Sequence, residues 1–260
     1  MFHLINPLYV LSGLAVGLLV GLTGVGGGSL MTPILVLLFG IHPTTAVGTD
    51  LLYAAATKSV GTLVHGASGT VEWSIVGRLA AGSVPATALT IFLLAHFQAQ
   101  SGGVNGVITM VLGVMLILTA IAILFRKMIL DAFARRVGEI SGTRTTVSTV
   151  VLGAVLGVLV SLSSVGAGAI GVTVLLILYP KLPAAKLVGS DIAHAVPLTL
   201  IAGIGHWFLG SIDWHLLGSL LVGSIPGIAI GSLISSRIPD TVLRPILAST
   251  LAIVGGRLVF

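Results

Sequence analysis

From Leu8 to Leu22, and again from Val104 to Phe125, the sequence runs without a single charged residue. Runs of this kind leave a chain few ways to fold. A segment of about 20 apolar residues is long enough to cross the ~30 Å hydrocarbon core of a bilayer as a helix. Inside lipid every backbone polar group must be satisfied internally, so spanning segments are helices or closed barrels. Only 7% of the residues are charged, where a soluble domain carries about 25%. The expectation is an all-α polytopic membrane protein with little left for a soluble domain. Met1 to Pro7 lacks the basic stretch that opens a cleaved signal peptide, so the first apolar run reads as a retained span.

Two stretches interrupt these runs. One is Thr23-Gly24-Val25-Gly26-Gly27-Gly28-Ser29, the other Ser163-Ser164-Val165-Gly166-Ala167-Gly168-Ala169. Glycine costs a helix interior about 1 kcal/mol relative to alanine, and several together break it. A break at membrane depth frees backbone amides and carbonyls that protein, ligand or a wet cavity must satisfy. Free N–H groups at a helix N-terminus favour an anion. Thr23, Gly24, Gly26, Gly27, Gly28 and Ser29, with Ser163, Ser164, Gly166 and Gly168, are therefore the candidate substrate-binding residues. The competing explanation is close helix packing through small residues. No Lys-Ser/Thr follows either stretch, so a nucleotide phosphate loop is a poor match.

In chain order, five segments are expected in the first half: Leu8–Leu22, a short Leu30–Ile41, Thr45–Val64, Trp73–Ala95 and Val104–Phe125. The next, polar stretch holds Arg126, Lys127, Arg135, Arg136 and Arg144. It divides the chain into a first repeat (1–125), a basic linker (126–145) and a second repeat (146–260). With an offset of 140, Gly13, Gly17, Gly26, Gly28 and Pro43 fall on Gly153, Gly157, Gly166, Gly168 and Pro183. With one residue inserted, Asp50, His65, Trp73, Ser83 and Pro85 fall on Asp191, His206, Trp214, Ser224 and Pro226.

Loop charge orients the halves. The turns Phe39–Thr45 and His96–Gly103 carry no Lys or Arg, whereas their counterparts hold Lys181 and Lys186, then Arg237 and Arg244. Basic loops stay on the cytoplasmic side. Opposite bias in equivalent loops means opposite membrane faces, an inverted five-plus-five repeat with the linker cytoplasmic and both termini outside. That is a transporter architecture; a four-plus-four chain with re-entrant loops is the competing topology. The net charge of +5 reads as contact with anionic lipid headgroups, not nucleic acid.

Asp50 and Asp191 sit in Val47-Gly48-Thr49-Asp50 and Val188-Gly189-Ser190-Asp191. Ionisable residues inside the membrane are costly and mostly functional, and here the cost recurs in both halves. Proton or cation coupling is the sharper reading, and a carboxylate at a helix start is the plainer one. His194 lies three residues beyond Asp191, on the same helix face, where it can relay a proton. Lys58 either attracts an anion or snorkels to the interface. Equivalent His65 and His206 flank opposite faces as gates or as plain interfacial histidines.

The glycine stretch, the Gly-Thr/Ser-Asp after a short second segment, the repeat and the length resemble the sulfite exporter TauE/SafE family, the toluene-sulfonate uptake permeases. The resemblance covers nearly the whole chain. It implies a multi-pass permease of the prokaryotic plasma membrane that moves sulfite or a small organosulfur or organosulfonate anion. Thr49 and Ser190 join the substrate-binding set, and Asp50, Asp191, His194 and Lys58 the coupling set. Ala167 and Ala169 stand where the first copy has Gly27 and Ser29, so the two loops differ. The expected partners are the anion, protons and membrane lipid, with no nucleic acid; a homodimer is among the assemblies open to it. No enzyme activity, cofactor or metal is expected: there is no cysteine, no His-Glu-x-x-His and no Gly-x-Ser-x-Gly. The alternative function is a cation/proton antiporter using Asp50 and Asp191.

Overall fold

A computed structural model describes residues 6–23, 28–101, 104–134, 142–234 and 240–259. Among these the regular secondary structure is all helical, without strands. The helices are α1 (Pro7–Thr23), α2 (Gly28–Leu37), α3 (Pro43–Ala67), α4 (Trp73–Ser101), α5 (Val104–Leu124), α6 (Arg126–Ala134), α7 (Gly142–Ser163), α8 (Ala169–Leu178), α9 (Ala184–Phe208), α10 (Trp214–Ile234) and α11 (Asp240–Val259). Four are long and apolar enough to cross a bilayer, over Trp73–Phe97, Gly106–Leu124, Gly142–Ser163 and Ala184–Phe208. Shorter apolar helices cover Pro7–Val20, Ala169–Leu178 and Trp214–Ile230. Three of the expected segments are altered in ways the sequence explains. The glycine stretches cut two segments down to the ten-residue α2 and α8, about 15 Å each. α3 has full length but carries Asp50 and Lys58 in its middle.

Helix starts track the proline positions. Pro43 occupies the first turn of α3, where a missing N–H costs nothing, and Pro183 immediately precedes α9. The segment between Leu124 and Gly142 holds a short helix, α6. α7 begins at Gly142, so its first turn lies within the expected linker. Arg135 and Arg136 lie outside the described residues.

Packing relates the halves. α1 packs on α10 and α4 on α7, while α3 packs on α9 and α5 on α11. Small residues set the first two interfaces. Gly13 and Gly17 abut the backbone of Leu220 and Ser224, and Gly153 and Gly157 abut that of Leu79 and Ser83. A Cβ at Gly157 would lie 2.6 Å from the Ser83 carbonyl oxygen, so only glycine admits this approach. The hydrogen bonds are reciprocal too. Ser190 accepts the Glu72 N–H at 2.8 Å, and Thr49 accepts the Asp213 N–H at 3.1 Å.

Polarity is inverted relative to a water-soluble fold. Asp50, Asp191, Lys58, His194 and His206 are buried, whereas Phe92, Phe97, Met110 and Leu118 are exposed. Such a surface suits hydrocarbon, and water would penalise it. Trp207, Trp214 and Phe208 form an exposed aromatic cluster, the kind of side chain favoured at membrane interfaces.

Candidate functional site

The site is built where α7 breaks. α7 ends at Ser163 and α8 begins at Ala169. Between them Ser164, Gly166 and Gly168 take φ of 58°, 120° and 111°, the left-handed region that disfavours side chains. Two of the three positions are glycine, and the first copy has glycine at all three equivalents, Gly24, Gly26 and Gly28. The alternation in the sequence thus matches a backbone need.

Freed backbone groups find partners. Val165 N–H donates to the Ser163 hydroxyl at 3.2 Å. The Ser161 carbonyl, which lies at the end of α7, receives the His206 Nε2–H at 2.9 Å. That bond fixes the proton on Nε2 and leaves Nδ1 without a hydrogen-bond partner. The Asp191 carboxylate comes close to the first turn of α8, beside Gly171. Asp191 Oδ1 lies 2.4 Å from where a Cβ at Gly171 would be, so the carboxylate sits on the first turn of α8. A negative charge is stabilised there by the N–H groups and the helix dipole.

Asp50 meets the same break from the other half. Its Oδ2 accepts the hydroxyl of Thr32 on α2 and, at 3.0 Å, the hydroxyl of Ser164. Oδ1 of Asp50 and Oδ1 of Asp191 are buried without a hydrogen-bond partner. Lys58 lies two turns along α3 from Asp50 and is 5% exposed. Its charge is buried within the described fold. A charge so buried persists only when paired.

His194 is fully buried. Its Nε2 bonds the Ser83 hydroxyl at 2.8 Å, and Nδ1 has no partner. It makes no hydrogen bond to Asp191, because its ring is held by α4. The one-residue-shifted offset puts Tyr53 opposite His194 and Ser224 opposite Ser83. Tyr53 indeed lies by Ser224, short of hydrogen-bond geometry. Thr32, Tyr53, Ser83 and Ser224 were not singled out from the sequence as site residues. The offset could have exposed Tyr53 and Ser224, since each is three residues from an acid or two from a proline in both halves. Nothing in the sequence marked Thr32.

The fold thus brings Asp50 and Asp191 to the break that holds Ser163, Ser164, Gly166 and Gly168, while buried Lys58 lies on the helix of Asp50 and His194 on that of Asp191. Thr49 and Ser190 lie just ahead of the two acids, and their hydroxyls accept N–H groups at the starts of α10 and α4. Half-buried His65 bonds the Thr70 hydroxyl at 2.8 Å, at the end of α3. Thr23 closes α1, and Gly28 and Ser29 open α2. Gly24, Gly26 and Gly27 lie outside the described residues.

Residues 9–258 match the model of the family described as sulfite exporter TauE/SafE. A probable membrane transporter protein of Bacillus subtilis, YjnA, is 40% identical over 254 residues, 96% of this chain and 98% of that protein. A second from the same organism, YdhB, is 32% identical across 97% of this chain and all of that protein. MJ0441, a probable membrane transporter protein of Methanocaldococcus jannaschii, is 25% identical over 83% of this chain and 77% of its own. No solved structure matches.

Proposed function

The chain belongs to the sulfite exporter TauE/SafE family of membrane transporters, and from that premise we propose that it is a permease for sulfite or a small organosulfonate anion. The observation that carries this reading is the meeting of the α7–α8 break with the buried carboxylates of Asp50 and Asp191, with Lys58 buried on the same helix as Asp50. A buried ammonium, helix-start amides and serine hydroxyls are donors suited to an oxyanion. Thr23 to Ser29 would supply the equivalent donors in the first half, and Thr49 and Ser190 would brace the two acids.

Reciprocal packing of α1 on α10 and α4 on α7 supports an inverted five-plus-five repeat split near 126–145. In such folds one half rocks against the other around a fixed central site. The anion would be exposed to each side in turn. Protons are the coupling ion in this reading, and Asp50 and Asp191 carry them. Relatives from a bacterium and an archaeon support the plasma membrane of a prokaryote. A ligand that binds only the folded state raises apparent stability. The purified protein should therefore melt higher with sulfite or sulfoacetate and unchanged with taurine, a zwitterion. No rise with any anion at millimolar concentration rejects the reading.

The two orphaned carboxylate oxygens favour one second reading, a cation/proton antiporter. It requires proton flux driven by a salt gradient with no sulfur anion present.

A further inference from the structure

α3 and α9 run antiparallel. Gly48, near the start of α3, abuts the backbone of Ser211 just beyond α9, and Gly189, near the start of α9, abuts that of Thr70 just beyond α3. The pair therefore has two opposite ends, built from positions that the sequence offset matches. These ends differ in charge. At one, residues 65–78, 142–149 and 178–190 hold Arg78, Arg144, Lys181 and Lys186 against a single acid, Glu72. At the other, residues 6–9, 37–49 and 206–219 hold no lysine or arginine. Glu72 already pairs with Lys186 at 3.3 Å. Half-buried Arg78 has no carboxylate partner among the described residues. Its Nη1 donates to the Tyr179 hydroxyl at 3.1 Å, and that hydroxyl lies 2.8 Å from the hydroxyl of Thr149. Thr149 donates its own hydroxyl proton to the Thr145 carbonyl at 2.7 Å. It therefore accepts from Tyr179, and Tyr179 accepts from Arg78. This directed chain ties α4 to the end of α8 and to α7. It holds the guanidinium in place and leaves its other N–H groups without a partner among the described residues. The matching positions at the other end are Ser219, Phe39 and Tyr9. There Tyr9 packs edge-on against Phe39 with ring centroids 4.8 Å apart, and Ser219 accepts the Asn6 N–H at 3.2 Å.

We propose that Arg78, held by Tyr179 and Thr149, is a docking site for an oxyanion at the end where α4 and α9 begin, and that the opposite end lacks one. Basic loops alone serve to orient a chain in the membrane. That role does not call for a half-buried arginine fixed by a neutral tyrosine. A planar guanidinium with spare N–H groups matches the geometry of an oxyanion. The site is close to the centre. Five residues on along α4, about 7.5 Å, Ser83 bonds His194. α8 leads from Tyr179 back to the break in about 15 Å. On the permease reading, which this proposal rests on, the transported anion meets Arg78 before it reaches Asp50 and Asp191. That end is cytoplasmic on the five-plus-five topology, so half-saturation comes at a lower concentration from the cytoplasmic side. The phosphate of an anionic lipid headgroup offers the same chemistry, and the proposal commits to the soluble anion.

The test uses the purified protein in phosphatidylcholine nanodiscs and the arginine reagent phenylglyoxal, with modification read residue by residue by mass spectrometry. Sulfite should slow modification of Arg78 several-fold relative to chloride at equal ionic strength, and leave exposed Arg257 unaffected. Equal rates at Arg78 in sulfite and chloride overturn the proposal. Phosphatidylglycerol nanodiscs that protect Arg78, with no further effect of sulfite, assign the site to a lipid headgroup and also overturn it. Flux provides a second measurement. Arg78→Gln should raise the KM for sulfite about tenfold or more, through loss of a charge-assisted bond, and lower the maximal rate by less. Arg78→Lys should recover most of that loss. An arginine that only straps α4 to α8 would instead lower the melting temperature and leave KM unchanged, which overturns the proposal. Sulfite that raises the melting temperature of the unaltered protein while Arg78 stays unprotected removes the docking site and leaves the permease reading standing.

Discussion

The hydroxyl of Ser164 donates to the carboxylate of Asp50 at 3.0 Å, joining residues 114 positions apart. Ser164 is also the one non-glycine residue with positive φ among the described residues. A left-handed backbone costs a side-chain-bearing residue roughly 1–2 kcal/mol. That cost is tolerated where the hydroxyl it positions binds a buried carboxylate.

Ser164 gives the first prediction. Ser164→Ala removes the donor and keeps the strain, whereas Ser164→Gly removes both. A hydrogen bond to a charged group contributes about 1.5–3 kcal/mol. Both variants should lose most sulfite transport in proteoliposomes, with Ser164→Gly melting above Ser164→Ala. Full transport in Ser164→Gly would show that the hydroxyl is dispensable.

Gly171 and Gly218 make a matched pair. A Cβ at Gly171 meets Asp191 Oδ1, while one at Gly218 meets nothing within 4 Å. Gly171→Ala should push the carboxylate off the start of α8 and depress transport at least tenfold. Gly218→Ala should transport normally and gain up to about 1 kcal/mol from helix propensity. Normal transport by Gly171→Ala would contradict the placement of Asp191.

His65 and His206 are equivalent in sequence but not in surroundings. His206→Ala orphans the Ser161 carbonyl at the α7 break and should cost about 1–3 kcal/mol. His65→Ala loses a bond to Thr70 that water can replace, about 1 kcal/mol or less. Melting temperature checks both. Paired gates would instead alter transport alike in the two variants and leave stability unchanged.

How much of this was legible in the sequence depends on what each residue's role rests on. Glycine at alternate positions announced the break, because a positive φ leaves few residue choices, and Gly166 and Gly168 sit at such angles. Asp50 and Asp191 stood out because charge is rare in apolar runs. The pairing of α3 with α9 and of α1 with α10 is a tertiary fact, so Thr32 and Ser83 looked like ordinary small polar residues. The sequence suggested an Asp191–His194 pair from helical spacing alone. The ring nitrogen Nε2 bonds Ser83 on α4 instead, a partner that helical spacing cannot show. Lys58 was ambiguous in the sequence, and the fold buries it.

Orientation in the membrane is tested by labelling. The chain has no cysteine, so a single introduced thiol reports without background. Phe2→Cys and Gly138→Cys should react with an impermeant maleimide from opposite faces, with position 138 cytoplasmic. Reaction from the same face contradicts the inverted repeat.

The central claim is that Asp50 and Asp191 couple protons to anion movement. Asparagine keeps the shape and most hydrogen bonds of aspartate but cannot carry its charge. The most direct measurement is sulfite flux into proteoliposomes at two imposed pH gradients, for the unaltered chain, Asp50→Asn and Asp191→Asn. Proton coupling predicts flux that rises with the inward proton gradient in the unaltered chain and does not respond to it in either variant, with sulfite binding retained. Flux in both variants that tracks the gradient as steeply as in the unaltered chain would contradict it.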